Sequence, residues 1–447
     1  MGTTGKFTGM QRVSVQEFIK FGIVLIALVL LVHIIAFYHV GFDKHVQTKG
    51  VHFVGEERYI RKLGKGSAGS YKILYWLPFN NVNQMNYETK CMETCPVKCE
   101  LTDNKEDINK VDMVNFHLTD LWTENWKINT KSIIKFPSYR RPDQVWTLTN
   151  LEPPPNLFGN LRVFNGIFNW TLWYRKDATV HLPYGLHKRL NAHKAAEAAK
   201  ALENRNFFKE KTGEVTGVIS NCKDSNRRYR FVKELGGYLN VTMFGYCYNK
   251  ICGDPLKHAS CDNVTSKYKF YLALENSKCK DYVTEKYWQS LNREQIPIVN
   301  WDLKMVNENI PVPGSFISIS DFKDVKSLAD YLKHVSTNET LYNSYFDWRK
   351  QYSISGRCPS CIVCQGLHEG RHPQVIEDLD GWVRNDVCDK VEVSSSAPQL
   401  QQLGERLFPG QANRLLGSVF HLQVFCTYVR AYRKNNASAI RKYPHHS

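Results

Sequence analysis

Short apolar runs separated by turn residues and by stretches of helical periodicity set out the plan of the chain. In the first half, Ile73-Leu74-Tyr75-Trp76, Val111 to Phe116 and Val145 to Leu148 predict strands. In the second half strand and helix alternate. Val215 to Ile219, Val241 to Phe244, Tyr268 to Leu274, Ile296 to Val299 and Phe316 to Ile319 predict strands; Arg227 to Leu235, Thr284 to Asn292 and Lys326 to Val335 predict helices. Apart from Lys269, the run Tyr268 to Leu274 is apolar or aromatic, as a strand covered on both faces must be. That alternation predicts a parallel sheet flanked by helices. Between the halves, Leu186 to Lys211 is rich in Ala, Lys, Arg and Glu and predicts a solvated helical linker spanning 186–213.

The longest apolar run, Phe21 to Val40, holds no charge and is interrupted only by His33 and His39. About 20 residues cross a bilayer as a helix, and the residues after Phe37 offer no small-residue cleavage site. A retained anchor is therefore expected over 21–40, with a short tail at 1–20 and a stem at 41–70. Basic residues flank the anchor on both sides, so charge does not orient it. The sequons Asn169, Asn240, Asn263, Asn338 and Asn436 all follow it, as do all 13 cysteines, which places the bulk of the chain in a lumenal, oxidising compartment. Cys91, Cys95 and Cys99 cluster early and Cys358, Cys361 and Cys364 late, and disulfides are expected of them in preference to a zinc site. The count is odd, leaving at least one thiol free or paired with another chain. A formal net charge of +16 is dispersed and accompanied by no nucleic-acid motif, so no nucleic-acid partner is expected.

Chemistry concentrates after the strand Tyr268 to Leu274. Glu275 and Asn276 follow it, and Thr284 can cap a helix whose first turn carries Glu285 and Lys286. A helix N-terminus with a lysine suits a diphosphate, and adjacent carboxylates suit hydroxyls, so a nucleotide-sugar fits the pattern. On pattern alone a capped core helix with a surface Glu-Lys pair fits as well.

The run Tyr268 to Lys286, with Pro297-Ile298-Val299, Ser315-Phe316-Ile317, Leu328 to Leu332 and Tyr345 to Arg349, closely resembles the α-1,3-fucosyltransferase family. Upstream, Arg141-Pro142, Gln144, Trp146, Glu152-Pro153, Phe168 to Leu172, Tyr174-Arg175, Asp177 and Pro183-Tyr184-Gly185 also match. The resemblance covers roughly residues 71–365. It implies an α/β, GT-B-like fold: two Rossmann-like domains facing a cleft, an acceptor-side domain at 71–185 and a GDP-fucose-binding domain at 214–365, behind a transmembrane helix and stem. Residues 366–447 would be an extension of unknown role. It further implies a Golgi type II membrane enzyme transferring L-fucose from GDP-β-L-fucose to the 3-hydroxyl of N-acetylglucosamine in a glycan, with inversion and without a metal or other cofactor.

In that reading Glu152 is the base, Arg228 and Lys286 face the diphosphate, and Glu275, Asn276 and Glu285 bind ribose and fucose hydroxyls, with Arg227 and Arg230 as alternatives to Arg228. Two turns depart from the family: Arg293-Glu294 and Asn300-Trp301 stand where small residues are common and are expected to reshape the nucleotide pocket. Only part of the acceptor-side pattern survives in Val114 to Asp120, which leaves the acceptor glycan open. A catalytically silent lectin-like relative and a metal-dependent GT-A enzyme using Asp378-Leu379-Asp380 are the competing readings.

Overall fold

The structure is a computed structural model that describes residues 52–53, 70–76, 84–121, 136–137, 139–157, 160–222, 226–252, 261–370 and 375–389, all within one unit, Val46–Lys390. The predicted anchor, Asn436, Cys426 and everything beyond residue 389 lie outside the described residues. Among the described residues no helix is long and apolar enough to cross a membrane.

In chain order the strands are β1 (His52–Phe53), β2 (Tyr71–Tyr75), β3 (Cys99–Thr102), β4 (Met113–His117), β5 (Tyr139–Arg140), β6 (Val145–Thr149), β7 (Trp170–Trp173), β8 (Val180–His181) and β9 (Leu186–Arg189). They continue with β10 (Gly213–Val218), β11 (Val241–Phe244), β12 (Tyr268–Ala273), β13 (Ile296–Val299), β14 (Ile317–Ser318) and β15 (Tyr352–Ser355). Two parallel sheets carry the fold, in the orders β3-β2-β4-β6-β7-β8 and β11-β10-β12-β13-β14. Both orders turn back on themselves early, at β2/β4 and at β10/β12. Such a reversal opens a crevice at the carboxyl ends of the two strands, because the connections on either side leave in opposite directions.

Aromatic packing supports the first sheet. Phe116, Trp146, Phe164 and Phe168 are fully buried, and the Phe116 ring stands 5.0 Å from Trp146 and 5.6 Å from Phe168. Burying a side chain of this size contributes on the order of 2–3 kcal/mol. The motif residues just before β6 frame it: Gln144 accepts from Trp146 Nε1 at 2.9 Å and donates to Val111 O at 3.0 Å. Arg140 lies under the Trp146 ring and donates to Ile167 O at 2.7 Å, and burial lowers its guanidinium to about 9.

The linker departs from expectation. Its helix occupies Ala192–Leu202, whereas Leu186–Arg189 forms β9, antiparallel to β15. The register Leu186↔Ser355 leaves no backbone for a helix there. Residues 366–389 are likewise no appendage. Leu379, Val383 and Val387 are buried in the core of the first sheet, and Leu367 packs with Ile73, Val145 and Trp170.

Three disulfides fasten this return. Cys91–Cys358, Cys95–Cys361 and Cys99–Cys364 join the two predicted clusters rung by rung. One chain advances by four residues per rung and the other by three. Cys222–Cys247, Cys252–Cys261 and Cys279–Cys388 pair the remaining described cysteines.

Candidate functional site

At the β10/β12 reversal Asn221 follows β10 and Glu275 follows β12. Arg228 opens the helix Arg228–Leu235, is buried, and spans the crevice: it donates to Asn221 O at 2.6 Å and to Leu274 O at 3.3 Å. Arg227, before it, is held at φ 60° as the helix cap, and Arg230 is exposed.

Glu275 is 1% exposed, and its main chain is clamped by Asn300, which accepts from Glu275 N at 2.8 Å and donates to Glu275 O at 3.0 Å. Its carboxylate accepts from Thr284 N and from the Thr284 hydroxyl, each at 2.8 Å. Lys286 Nζ donates to Glu275 Oε2 at 3.2 Å, to Thr284 Oγ1 at 2.8 Å and to Glu285 Oε1 at 3.0 Å. The helix Glu285–Asn292 thus starts with its cap locked to a buried acid and its first lysine flanked by two carboxylates. Burial raises the Glu275 carboxyl, an effect Lys286 opposes. Burial also works against the charged forms of Lys286 and Glu285 but loses to attraction: Glu275 and then Glu285 raise Lys286, and Lys286 lowers Glu285. Asn276 is half-buried, and its side-chain oxygen has no hydrogen-bond partner among the described residues.

Glu152 belongs to the other sheet, in the turn after β6. Its side chain is exposed and accepts from Asn156 Nδ2 at 2.7 Å, while its carbonyl accepts from Asn150 Nδ2 at 2.8 Å. Pro153 and Pro154 are buried and stiffen the turn. The two halves meet through tyrosines. Tyr184 and Tyr282 stand 6.1 Å apart, and Tyr174 stands 4.9 Å from Tyr282. Burial raises the Tyr184 and Tyr282 phenols, and the charges of Glu152, Glu275 and Glu285 push both further up.

Arg357 is a cation that no sequence signal singled out. It lies 4.8 Å over the Tyr184 ring and donates to Pro183 O at 3.3 Å. Burial lowers its guanidinium, against the pull of Tyr184, Tyr87 and Glu285. Its closeness to Glu285 comes from a chain return across 72 residues, which local pattern does not reveal.

The departures divide. Arg293-Glu294 sits at the far end of the donor-side helix, about 14 Å from its cap Thr284 at 1.5 Å per residue. Glu294 takes the left-handed conformation at φ 56° and bonds Arg205, and Arg293 bonds Asp262. Asn300, by contrast, builds the site, and Trp301 is buried behind it.

Asn169 is no glycan acceptor in the folded chain: it is 2% exposed, and its side-chain oxygen accepts from Trp146 N at 2.9 Å and from Arg140. Asn240 and Asn263 are exposed; Asn338 is half-buried and caps a helix by accepting from Leu341 N at 3.0 Å. Asp378 accepts from Gly381 N at 3.0 Å and Asp380 from Arg384 Nε at 2.9 Å, so the Asp-x-Asp opens a short helix.

Two family profiles match the chain: "Fucosyltransferase, N-terminal" over residues 68–185 and "Glycosyltransferase family 10 (fucosyltransferase) C-term" over 208–382. Among curated proteins it is similar to glycoprotein 3-alpha-L-fucosyltransferase A of Drosophila melanogaster, at 33% identity over 65% of this chain and 55% of that protein. The chain thus spans about half the length of that relative. It is 31% identical to alpha-(1,3)-fucosyltransferase 7 of Rattus norvegicus over 69% of this chain and 79% of that one. It is also 31% identical to 3-galactosyl-N-acetylglucosaminide 4-alpha-L-fucosyltransferase of Homo sapiens, over 66% and 78% respectively. A solved structure described as alpha1,3-fucosyltransferase with GDP-fucose aligns over 75% of this chain and 97% of its own, at 15% identity and a TM-score of 0.40.

Proposed function

The chain belongs to glycosyltransferase family 10, the fucosyltransferases, and from that premise we propose that it transfers L-fucose from GDP-β-L-fucose to the 3-hydroxyl of N-acetylglucosamine in a glycan. The arrangement is of GT-B type, with the donor held on the sheet of β10 to β14 and the acceptor on the sheet of β2 to β8. One observation carries the reading: Tyr184 bonds the turn of Glu152 through Leu151 O at 2.6 Å and stands 6.1 Å from Tyr282, two residues before Thr284, which with Lys286 is bonded to Glu275.

Inverting transfer needs a base on one face of the sugar and charge stabilisation on the other. Glu152 takes the proton of the acceptor hydroxyl as its oxygen bonds to the anomeric carbon. The bond from that carbon to the diphosphate breaks, and its electron pair leaves with GDP. Arg228 and Lys286 stabilise that charge. Asn276 and Glu285 take sugar hydroxyls. Glu275, buried and already bonded to Thr284 and Lys286, holds both in place.

The catalytic domain is lumenal in a Golgi membrane, anchored by residues 21–40. Sequence supports this through the apolar run and the sequons after it, and the six disulfides fit an oxidising lumen. The decisive test supplies purified protein with GDP-fucose and a panel of defined glycans in excess EDTA. Release of GDP with an α-1,3-fucosylated product supports the proposal. Binding of glycan without GDP release would mean a lectin, and turnover only after Mn²⁺ is restored would mean a metal-dependent enzyme.

A further inference from the structure

We propose that Tyr184 is a positioning residue for Glu152, a role that rests on the reading of Glu152 as the base. The Tyr184 hydroxyl donates to Leu151 O at 2.6 Å, the carbonyl next to Glu152. Tyr184 lies 32 residues beyond Glu152 at the junction with the second half, whereas the other holds on the base turn, from Asn150 and Asn156, are local.

Tyr184 is itself fixed from three directions. Tyr282 stands edge-on at 81°, Arg357 covers the ring, and Gly185 behind it lies against Trp288 of the donor-side helix. A Cβ at Gly185 would come within 2.3 Å of the Trp288 ring, so chain and helix are in close contact there. Arg357 in turn precedes Cys358, bonded to Cys91, and its carbonyl accepts from Tyr87 at 2.6 Å. The hydroxyl therefore joins the base turn to a frame that includes the helix of Lys286. Because burial raises the phenol, it stays protonated and donating at every pH where the enzyme would work.

Tyr184→Phe removes the hydroxyl and leaves the ring. Its kcat should fall about five- to fiftyfold, between the loss of one hydrogen bond and the cost of a misplaced catalytic group. The KM for GDP-fucose and calorimetric GDP affinity should stay within about twofold, and retained GDP affinity also reports a folded donor domain. Added to Glu152→Gln, the same substitution should change kcat by less than about twofold, because a residue acting only through Glu152 has nothing left to position. Full additivity of the two losses, or an unchanged kcat in Tyr184→Phe, would overturn the proposal. A wild-type protein without fucosyl transfer, or Glu152→Gln with wild-type kcat, would instead strike the underlying reading, and these controls fail separately from Tyr184.

Discussion

Thr284 gives both its main-chain N–H and its hydroxyl to the Glu275 carboxylate, each at 2.8 Å, so that a helix cap and a buried acid hold one another. The hydroxyl also accepts from Lys286 Nζ at 2.8 Å, which makes Thr284 the hub of the donor-side network. Thr284→Val keeps the shape and removes the hydroxyl. A hydrogen bond to a charged group is worth roughly 1.5–3 kcal/mol. The expected result is a GDP-fucose KM raised about tenfold with a smaller change in kcat, read from initial rates. An unchanged donor KM would mean that Lys286 needs no such support.

The elements that periodicity predicts are those whose neighbours reinforce local preference. β11 and β13 fall at their expected bounds, and Thr284 caps its helix because its hydroxyl suits that position. What sequence could not supply is tertiary. Leu186–Arg189 has no strand signature of its own and becomes one by pairing with β15. Arg357 joins the cleft because the chain returns to the first sheet. Asn169 reads as a sequon, and only its burial just before β7 reveals its use as a hydrogen-bonding anchor. Asn300 stood out only as a departure, yet its amide matches the main chain of Glu275 as a glycine could not.

The charges at the helix start fix a pH dependence. Glu285 is lowered in the folded protein from an ordinary 4.5, so its contribution to stability is complete above that value and is lost as pH falls through its lower folded value. Lys286 is raised from an ordinary 10.5, so its contribution is complete below that value and lost only in stronger alkali. Glu275, raised by burial, runs the other way: keeping it ionised costs stability, and acid relieves the cost. Removing Glu285 alone in Glu285→Gln should lower Tm by a constant amount between about pH 6 and 9 and make the further loss of Tm below about pH 4.5 shallower. A parallel acid limb in mutant and wild type would show that the pair does not carry it.

The rung-by-rung cysteine pairing is checked by peptide mapping without reduction. Linked peptides should report Cys91–Cys358, Cys95–Cys361 and Cys99–Cys364. A peptide closed between Cys358 and Cys361 would contradict the register. The closed loops run to 265 residues and more, and removing one native bridge commonly costs about 2–5 kcal/mol. The double variant Cys95→Ala with Cys361→Ala, which leaves no stray thiol, should therefore lower Tm measurably while the outer two rungs persist. An unchanged Tm would show that the outer rungs suffice.

Glu152 and Lys286 stand on opposite sheets and should fail differently when removed. Glu152 is exposed, and its hydrogen-bond partners Asn150 and Asn156 belong to its own turn, so Glu152→Gln changes the charge with little disturbance of the fold. Donor affinity should survive, and kcat should fall about 10²- to 10⁴-fold, the usual effect of losing a positioned base. Lys286→Ala leaves Glu275 buried and without its cation, so it should weaken GDP binding, lower turnover and destabilise the helix start together. Equilibrium binding of GDP, steady-state kinetics and melting curves on the same three proteins separate these patterns. If Glu152→Gln keeps wild-type kcat in a folded protein, the proton must go elsewhere. Glu285 would then be the first alternative, since it is exposed and acts on the same tyrosines, whereas Glu275 is closed off by Thr284 and Lys286.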